Sequence, residues 1–424
     1  MNGFVRVFAL LPGLVLTTEL LNRAGADWFG AYIASVLTVC LSVVLSERYI
    51  IAPETALTAE LVFSSVFIMG LGHGAAKVIL LLGALLALPV GKLLTRCTER
   101  LRRIILFAAL LGLSLLLLSM GLSQGGLIRP AVMTHSQVGN MLAPDVLVTL
   151  LTLLVMGLLR SGKSTGRYTL AGGLLFAVLL AAGEGFLDFD YGIFALPGAA
   201  DIGKVWFAFD YPAAWEIIMT SPGDIILPAM TIAVTMVTMT EAVCGTEGLL
   251  TGESGQNADR QQSEINGKSS LLGVVSACLG SGPTAVSPLS LLECGDDRTK
   301  GRCCRYGMAS AAILMLFCAP LARSMAECPG IIAPFFLWLG GSLTIRCLVR
   351  LAKTGAEGEA AAEGAITVAA AMLAALGSNL TAGIGAAAVC YIVLQLLNGR
   401  GQDITAAEWL ITAGYLLYFS SYCF

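Results

Sequence analysis

The sequence predicts an all-α polytopic membrane protein whose fourteen transmembrane segments form two inverted repeats of seven. Three observations carry this reading. Of the 424 residues, 57% are hydrophobic and 12% charged, and the mean hydropathy is +0.83, more apolar surface than a water-soluble domain can carry. A bilayer span consumes ~20 apolar residues, and the chain divides into runs of about that length. The third run of each half opens with proline after an extended stretch, as a half-helix starting in mid-membrane would.

In order, the apolar runs fall near 4–20, 28–46, 54–70, 74–94, 104–123, 143–160 and 168–184. An acidic stretch to about 224 follows, and the second half gives 225–250, 269–280, 284–293, 303–323, 330–350, 363–378 and 381–397. The first run lacks a small-residue cleavage site and is followed at once by another span, so it reads as a retained helix. The organisation expected is a first repeat over 1–184, an extracellular connection over 185–224, a second repeat over 225–397 and a tail over 398–424. The tail's apolar segment 406–421 is expected to lie on the membrane surface.

Lys and Arg collect in alternate loops, as in Lys92 to Arg103, Arg160 to Arg167 and Arg298 to Arg305. These loops should be cytoplasmic, which places both termini on the cytoplasmic side of a cell membrane. The formal charge of 25 − 28 = −3 provides no basic face for nucleic acid. Cys40, Cys244, Cys278, Cys318, Cys347 and Cys390 lie in apolar runs and act as small hydrophobes. His73 and His135 lack the helical partner a metal site needs, so no metal, cofactor or enzymatic chemistry is expected.

The third and tenth spans open with Pro53-Glu54-Thr55 and Ser281-Gly282-Pro283-Thr284-Ala285-Val286-Ser287-Pro288. Proline in a first helical turn gives up an N–H that has no intrahelical partner anyway. Paired segments of this kind, at corresponding positions of two repeats, point to a transporter site where free helix N–H groups meet a ligand. Glu54, Thr55, Gly282, Pro283, Thr284, Ala285 and Ser287 are therefore candidate substrate contacts; two ordinary proline kinks are the plainer alternative.

Glu54, Glu60, Glu241 and Glu247 sit in or at the edges of predicted spans, where an ionisable side chain is expensive and usually faces a cavity. Glu241, in the eighth span, is expected to bind substrate and, with Glu247, to carry the coupling proton. Glu60 and Glu247 are alternatively placed to snorkel or cap near a membrane face. Thr246, like Thr284 and Ser287, offers a hydroxyl to the proposed cavity or to its own helix backbone. Glu19, Lys77, Glu184 and Glu293 lie near span ends and read as interface residues.

Several segments, in the same order, resemble the nucleobase–cation symporters, in particular their adenine/guanine/hypoxanthine permease branch. Glu19 to Asp27 is similar to the end of that branch's first helix. Ala52-Pro53-Glu54-Thr55-Ala56-Leu57-Thr58-Ala59 resembles its Ala-Pro-Gly-Met-Gly-Leu-Asn-Ala signature, and Leu142 to Leu147 the start of its sixth helix. Gly248 to Gly252 falls where its eighth helix ends, and Ile265-Asn266 precedes the ninth. The resemblance implies a core of spans one to four and eight to eleven moving against a gate formed by the rest, with a short strand before half-helices three and ten. It also implies a base held between the third, eighth and tenth helices by carboxylates on the eighth and tenth, with uptake driven by protons. Glu241 fits the eighth-helix acid. At the tenth-helix acid stand Pro288 or Leu289, with Glu293 the nearest carboxylate, and Glu54 replaces a family glycine.

The function expected is proton-coupled uptake of a purine or related heterocycle, by a protein whose partners are that substrate and the bilayer and for which a homodimer is compatible. An anion or other small-solute transporter on the same architecture is the nearer alternative; such exchangers usually carry a soluble domain after the last span, whereas here only residues 398–424 follow it. A non-transporting receptor or complex subunit is the third reading.

Overall fold

The computed structural model describes residues 2–45, 49–131, 135–162, 165–195, 198–251, 256–288, 302–353 and 359–421. Among the described residues, eight helices are long and apolar enough to cross a bilayer, or nine if one bent pair is a single span. The protein is a multi-pass membrane protein.

The first span is broken. Helix α1 (Asn2–Phe8) stops two residues before α2 (Leu11–Arg23), where Pro12 sits in the opening turn. After α3 (Trp28–Leu45) the chain enters β1 (Ile51–Pro53), then α4 (Thr55–Val62), which runs on as one stretch of π-helix, Phe63–Ile68. Helices α5 (His73–Leu94) and α6 (Glu99–Gln124) lead to a hairpin absent from the sequence reading, β2 (Ile128–Ala131) with β3 (His135–Val138). Helices α7 (Pro144–Ser161) and α8 (Thr169–Gly183) close the first half.

The acidic connection holds α9 (Ala199–Val205) and α10 (Tyr211–Thr220). The second half runs α11 (Gly223–Thr251), α12 (Gln256–Leu279), β4 (Thr284–Val286), α13 (Arg302–Phe317), α14 (Ala319–Glu327), α15 (Pro329–Lys353), α16 (Glu359–Leu376), α17 (Leu380–Leu397) and α18 (Ala406–Ser421). The ninth span starts well before the expected 269. Hydropathy finds only the part at lipid depth, while the helix extends outward through polar residues, with Lys268 paired to Glu264 at 2.7 Å. The eleventh span bends by 68° between α13 and α14, where Pro320 has no N–H to continue the ladder.

The helix pairings repeat with a seven-span offset. α5 packs on α11 as α13 packs on α1; α12 on α5 as α3 on α13; α7 on α8 as α16 on α17; and α16 on α6 as α7 on α15. The pairs α6 with α15, α3 with α12 and β1 with β4 map onto themselves. This is the pairing pattern of two inverted repeats. Side chains facing lipid are apolar, as Leu150, Leu154 and Leu158 on α7 and Leu175 and Leu179 on α8 show by their exposure.

Two expectations need correction. Helix α18 packs against α17 and α11, with Glu408, Thr412, Tyr415 and Tyr418 buried and Trp409, Leu410, Leu416 and Leu417 exposed. Polar residues inward and apolar residues outward suit lipid, not the membrane surface expected for this segment. Glu408 accepts hydrogen bonds from Thr98 at the start of α6, while Tyr418 meets Asn379 at the N-cap of α17. Helix α18 thus runs back along α17, and its C-terminal end lies away from the 398–405 turn; both termini on one face no longer follows. Lys77, read as an interface residue, is 1% exposed. Its ammonium donates to the main-chain carbonyls of Val205 and Ala208 and lies 5.3 Å from the Phe209 ring. The connection dips into the bundle there, because Val205 fits against Gly30 and Gly280, neither of which leaves room for a Cβ.

Candidate substrate site

Strands β1 and β4 pair antiparallel with Ile51 opposite Val286, Ala52 opposite Ala285 and Pro53 opposite Thr284. Pro53 closes β1, and β4 lies between Pro283 and Pro288, so Thr284 to Val286, expected to open a half-helix, are strand. The Glu54 N–H donates to the Pro283 carbonyl and the Ser287 N–H to the Ile50 carbonyl, both at 2.9 Å. These bonds fix the two segments against each other. Close approach requires Gly282: a Cβ there would lie 2.2 Å from Thr58 Oγ1. Ala52 and Ala285 are small and fully enclosed at the centre of the ladder.

Beside this crossing is a cavity of about 40 Å³. A water needs roughly 10–15 Å³ by the same measure, so the space takes a few waters or a small ion. Pro12 and Gly13 of α2, Glu54 and Thr55 of the third span and Ser287 of the tenth line one side. Leu117 of α6 and Phe335, Phe336 and Leu339 of α15 line the other. Pro12 and Gly13 stand in the first turn of α2, and Thr55 Oγ1 lies 3.1 Å from both the Thr17 hydroxyl and the Gly13 carbonyl.

Glu54 occupies the N-cap of α4 in extended conformation (φ −102°, ψ 129°), yet its side chain makes no capping hydrogen bond. The residue lines the cavity and is 8% exposed. Among the described residues no cationic side chain pairs with it. The site therefore combines a free helix N-terminus, which favours negative charge, with an unpaired carboxyl.

The structure brings Glu54, Thr55 and Ser287 to the cavity. Gly282, Pro283 and Ala285 contribute backbone, shaping the crossing. Thr284 does not face the cavity: its hydroxyl donates to the Ser269 carbonyl at 3.0 Å and holds β4 on α12. Glu241 lies elsewhere, fully buried, accepting from Arg102 Nε at 3.3 Å and from the Asn266 side-chain amide at 3.1 Å. Its surroundings are the start of α6 and the middle of α12, so the structure does not bring it to this cavity. Thr246 and Glu247 fall in α11, but their side chains lie outside the described residues, as do Leu289 and Glu293. Sequence reasoning missed the α2 and α15 contributions. Pro12 inside the first apolar run was a usable signal; Phe335 and Phe336 sit in an unremarkable apolar run and gave none.

Neither a family model nor a curated protein matches the sequence. Solved structures do. The transmembrane domain of a cyanobacterium bicarbonate transporter, BicA, aligns with a TM-score of 0.56 at 16% identity, covering 90% of this chain and 96% of that one. The structure of SLC26A9 aligns at 0.58 and 12% identity, covering 94% of this chain and 65% of that one. Murine Slc26a9, an anion transporter in the inward-facing state, aligns at 0.59 and 10%, covering 94% and 68%. The fold is the fourteen-helix inverted-repeat transporter fold of these proteins, which the xanthine permeases share. No family model confirms the likeness to a nucleobase permease family.

Proposed function

We propose that the protein is a secondary transporter of a small solute, with a small anion as the leading substrate class, not a purine. The observation that carries this reading is the cavity at the crossing of β1 and β4, where half-helix N–H groups meet a space sized for a few waters. A fused bicyclic base is far larger than that. The neighbours of the same fold include a bicarbonate transporter and an anion transporter, in keeping with the size of the cavity.

Glu54 adds a constraint. An anion in this cavity is attracted by helix N-termini and repelled by an ionised carboxyl, so it enters with a compensating cation, the proton being the simplest. In this reading Glu54 takes the coupling role that the sequence placed on Glu241. Transport follows if the helix set containing α1 to α5 and α11 to α14 shifts against the set containing α6 to α8 and α15 to α17, because the cavity lies between them.

The test is uptake by the purified protein in proteoliposomes of a cell-membrane lipid mixture, comparing bicarbonate, chloride, sulfate and formate with adenine, hypoxanthine and uracil. Saturable uptake of a small anion, stimulated by an inward proton gradient, is expected. Saturable uptake of a nucleobase with none of any small anion would overturn the proposal.

A further inference from the structure

Glu60 lies on α4, on the far side of its first turns from the cavity, and is 2% exposed. Tyr418 of α18 donates to its Oε1 at 2.8 Å, and the Asn379 amide donates in turn to the Tyr418 oxygen at 3.0 Å. Glu60 Oε2 is buried with no partner, and so is the hydroxyl of Tyr415, three residues before Tyr418 on the same helix. The Asn379 and Thr381 side chains also approach the carboxyl, and the Thr381 hydroxyl lies 2.8 Å from that of Thr235 on α11. Among the described residues, the titratable groups facing Glu60 from α11, α17 and α18 are Tyr415 and Tyr418; α2, α5 and α6, which also pack near α4, bring none.

An ionised carboxylate is acceptor-only and draws donors to both oxygens, and an isolated one in apolar surroundings is strongly disfavoured. Here only one oxygen has a donor within hydrogen-bond distance, and among the described residues no cation balances the charge. A neutral carboxyl removes this cost, since it carries no charge that a cation must balance and needs fewer donors than a carboxylate. A metal cation would need several free oxygens, but Thr381 is bonded to Thr235 and the Asn379 carbonyl oxygen accepts from the Ala382 N–H at 2.6 Å.

We propose that Glu60 is a proton-binding site closed over by the C-terminal helix, in which the protonated carboxyl ties α18 to the half-helix that carries the cavity. The site is separate from Glu54 and does not depend on which solute the cavity takes. Infrared spectra of the purified full-length protein at neutral pH, in the carbonyl region of protonated carboxyls, test it. Glu60→Gln should lose one component of that band, Glu54→Gln should leave the same component in place, and Tyr418→Phe should shift its frequency because Tyr418 donates to that carboxyl. A Glu60→Gln spectrum identical to wild type would overturn the proposal, as would a sodium-dependent rise in Tm that the same substitution abolishes. Should Glu60→Gln fail to fold, the Tyr418→Phe shift decides alone: an unshifted band overturns the proposal.

Discussion

Glu54 was legible as a site residue because a carboxylate directly after a proline, at the head of an apolar run, has few structural reasons to be there. What the sequence left open was whether it caps α4 or faces a ligand, and the missing side-chain cap bond speaks against the cap. The consequence is measurable. Removing a cap costs ~1 kcal/mol, whereas neutralising an unpaired buried carboxyl removes a desolvation cost. Glu54→Gln should therefore melt at or above the wild-type Tm while its uptake of a small anion falls tenfold or more. A lowered Tm with uptake intact would return Glu54 to a capping role. Glu241 shows the opposite limit. Its burial was readable from its place in an apolar run, but Arg102 is 139 residues away, and no local pattern announces such a partner.

At the scale of elements, span positions were readable because each crossing must satisfy its own backbone and present apolar side chains to lipid. The half-helix α4 was readable from proline. Helix α18 was misplaced because its alternation of Glu408, Thr412, Tyr415 and Tyr418 with exposed leucines resembles a surface helix until its partners are known; which stripe faces inward depends on α11 and α17. Insertion predicts a topology. With epitope tags at the two ends and sealed right-side-out vesicles, the C-terminal tag should be accessible from the face that carries Asp201, and the N-terminal tag from the opposite face. Both tags on the face of the 398–405 turn would mean that α18 lies along the membrane, and the contact between Tyr418 and Glu60 would fall with it.

Across the whole molecule, the inverted repeat makes the two faces of the bundle near-equivalents, so a motion that opens one end has a counterpart that opens the other. At the end where α6 begins, the two helix sets are joined by Arg102 with Glu241. Arg102 is on the α6 set and Glu241 on the set that carries the half-helices, and Glu241 is wholly buried. If the sets part at this end during transport, the pair must separate; if they never part there, it is a structural bond like any other. Cysteines at 102 and 241, in a background from which the 12 native cysteines have been replaced, distinguish the two. Linking them with a cleavable bifunctional thiol reagent should abolish uptake, and cleavage should restore it. A control pair at Ala84 and Ser270, which touch within one set through the Ser270 hydroxyl and the Ala84 carbonyl, should transport normally when linked. Uptake that survives the 102–241 link would show that this end stays closed throughout, and the solute would then need a path that does not pass between α6 and α11.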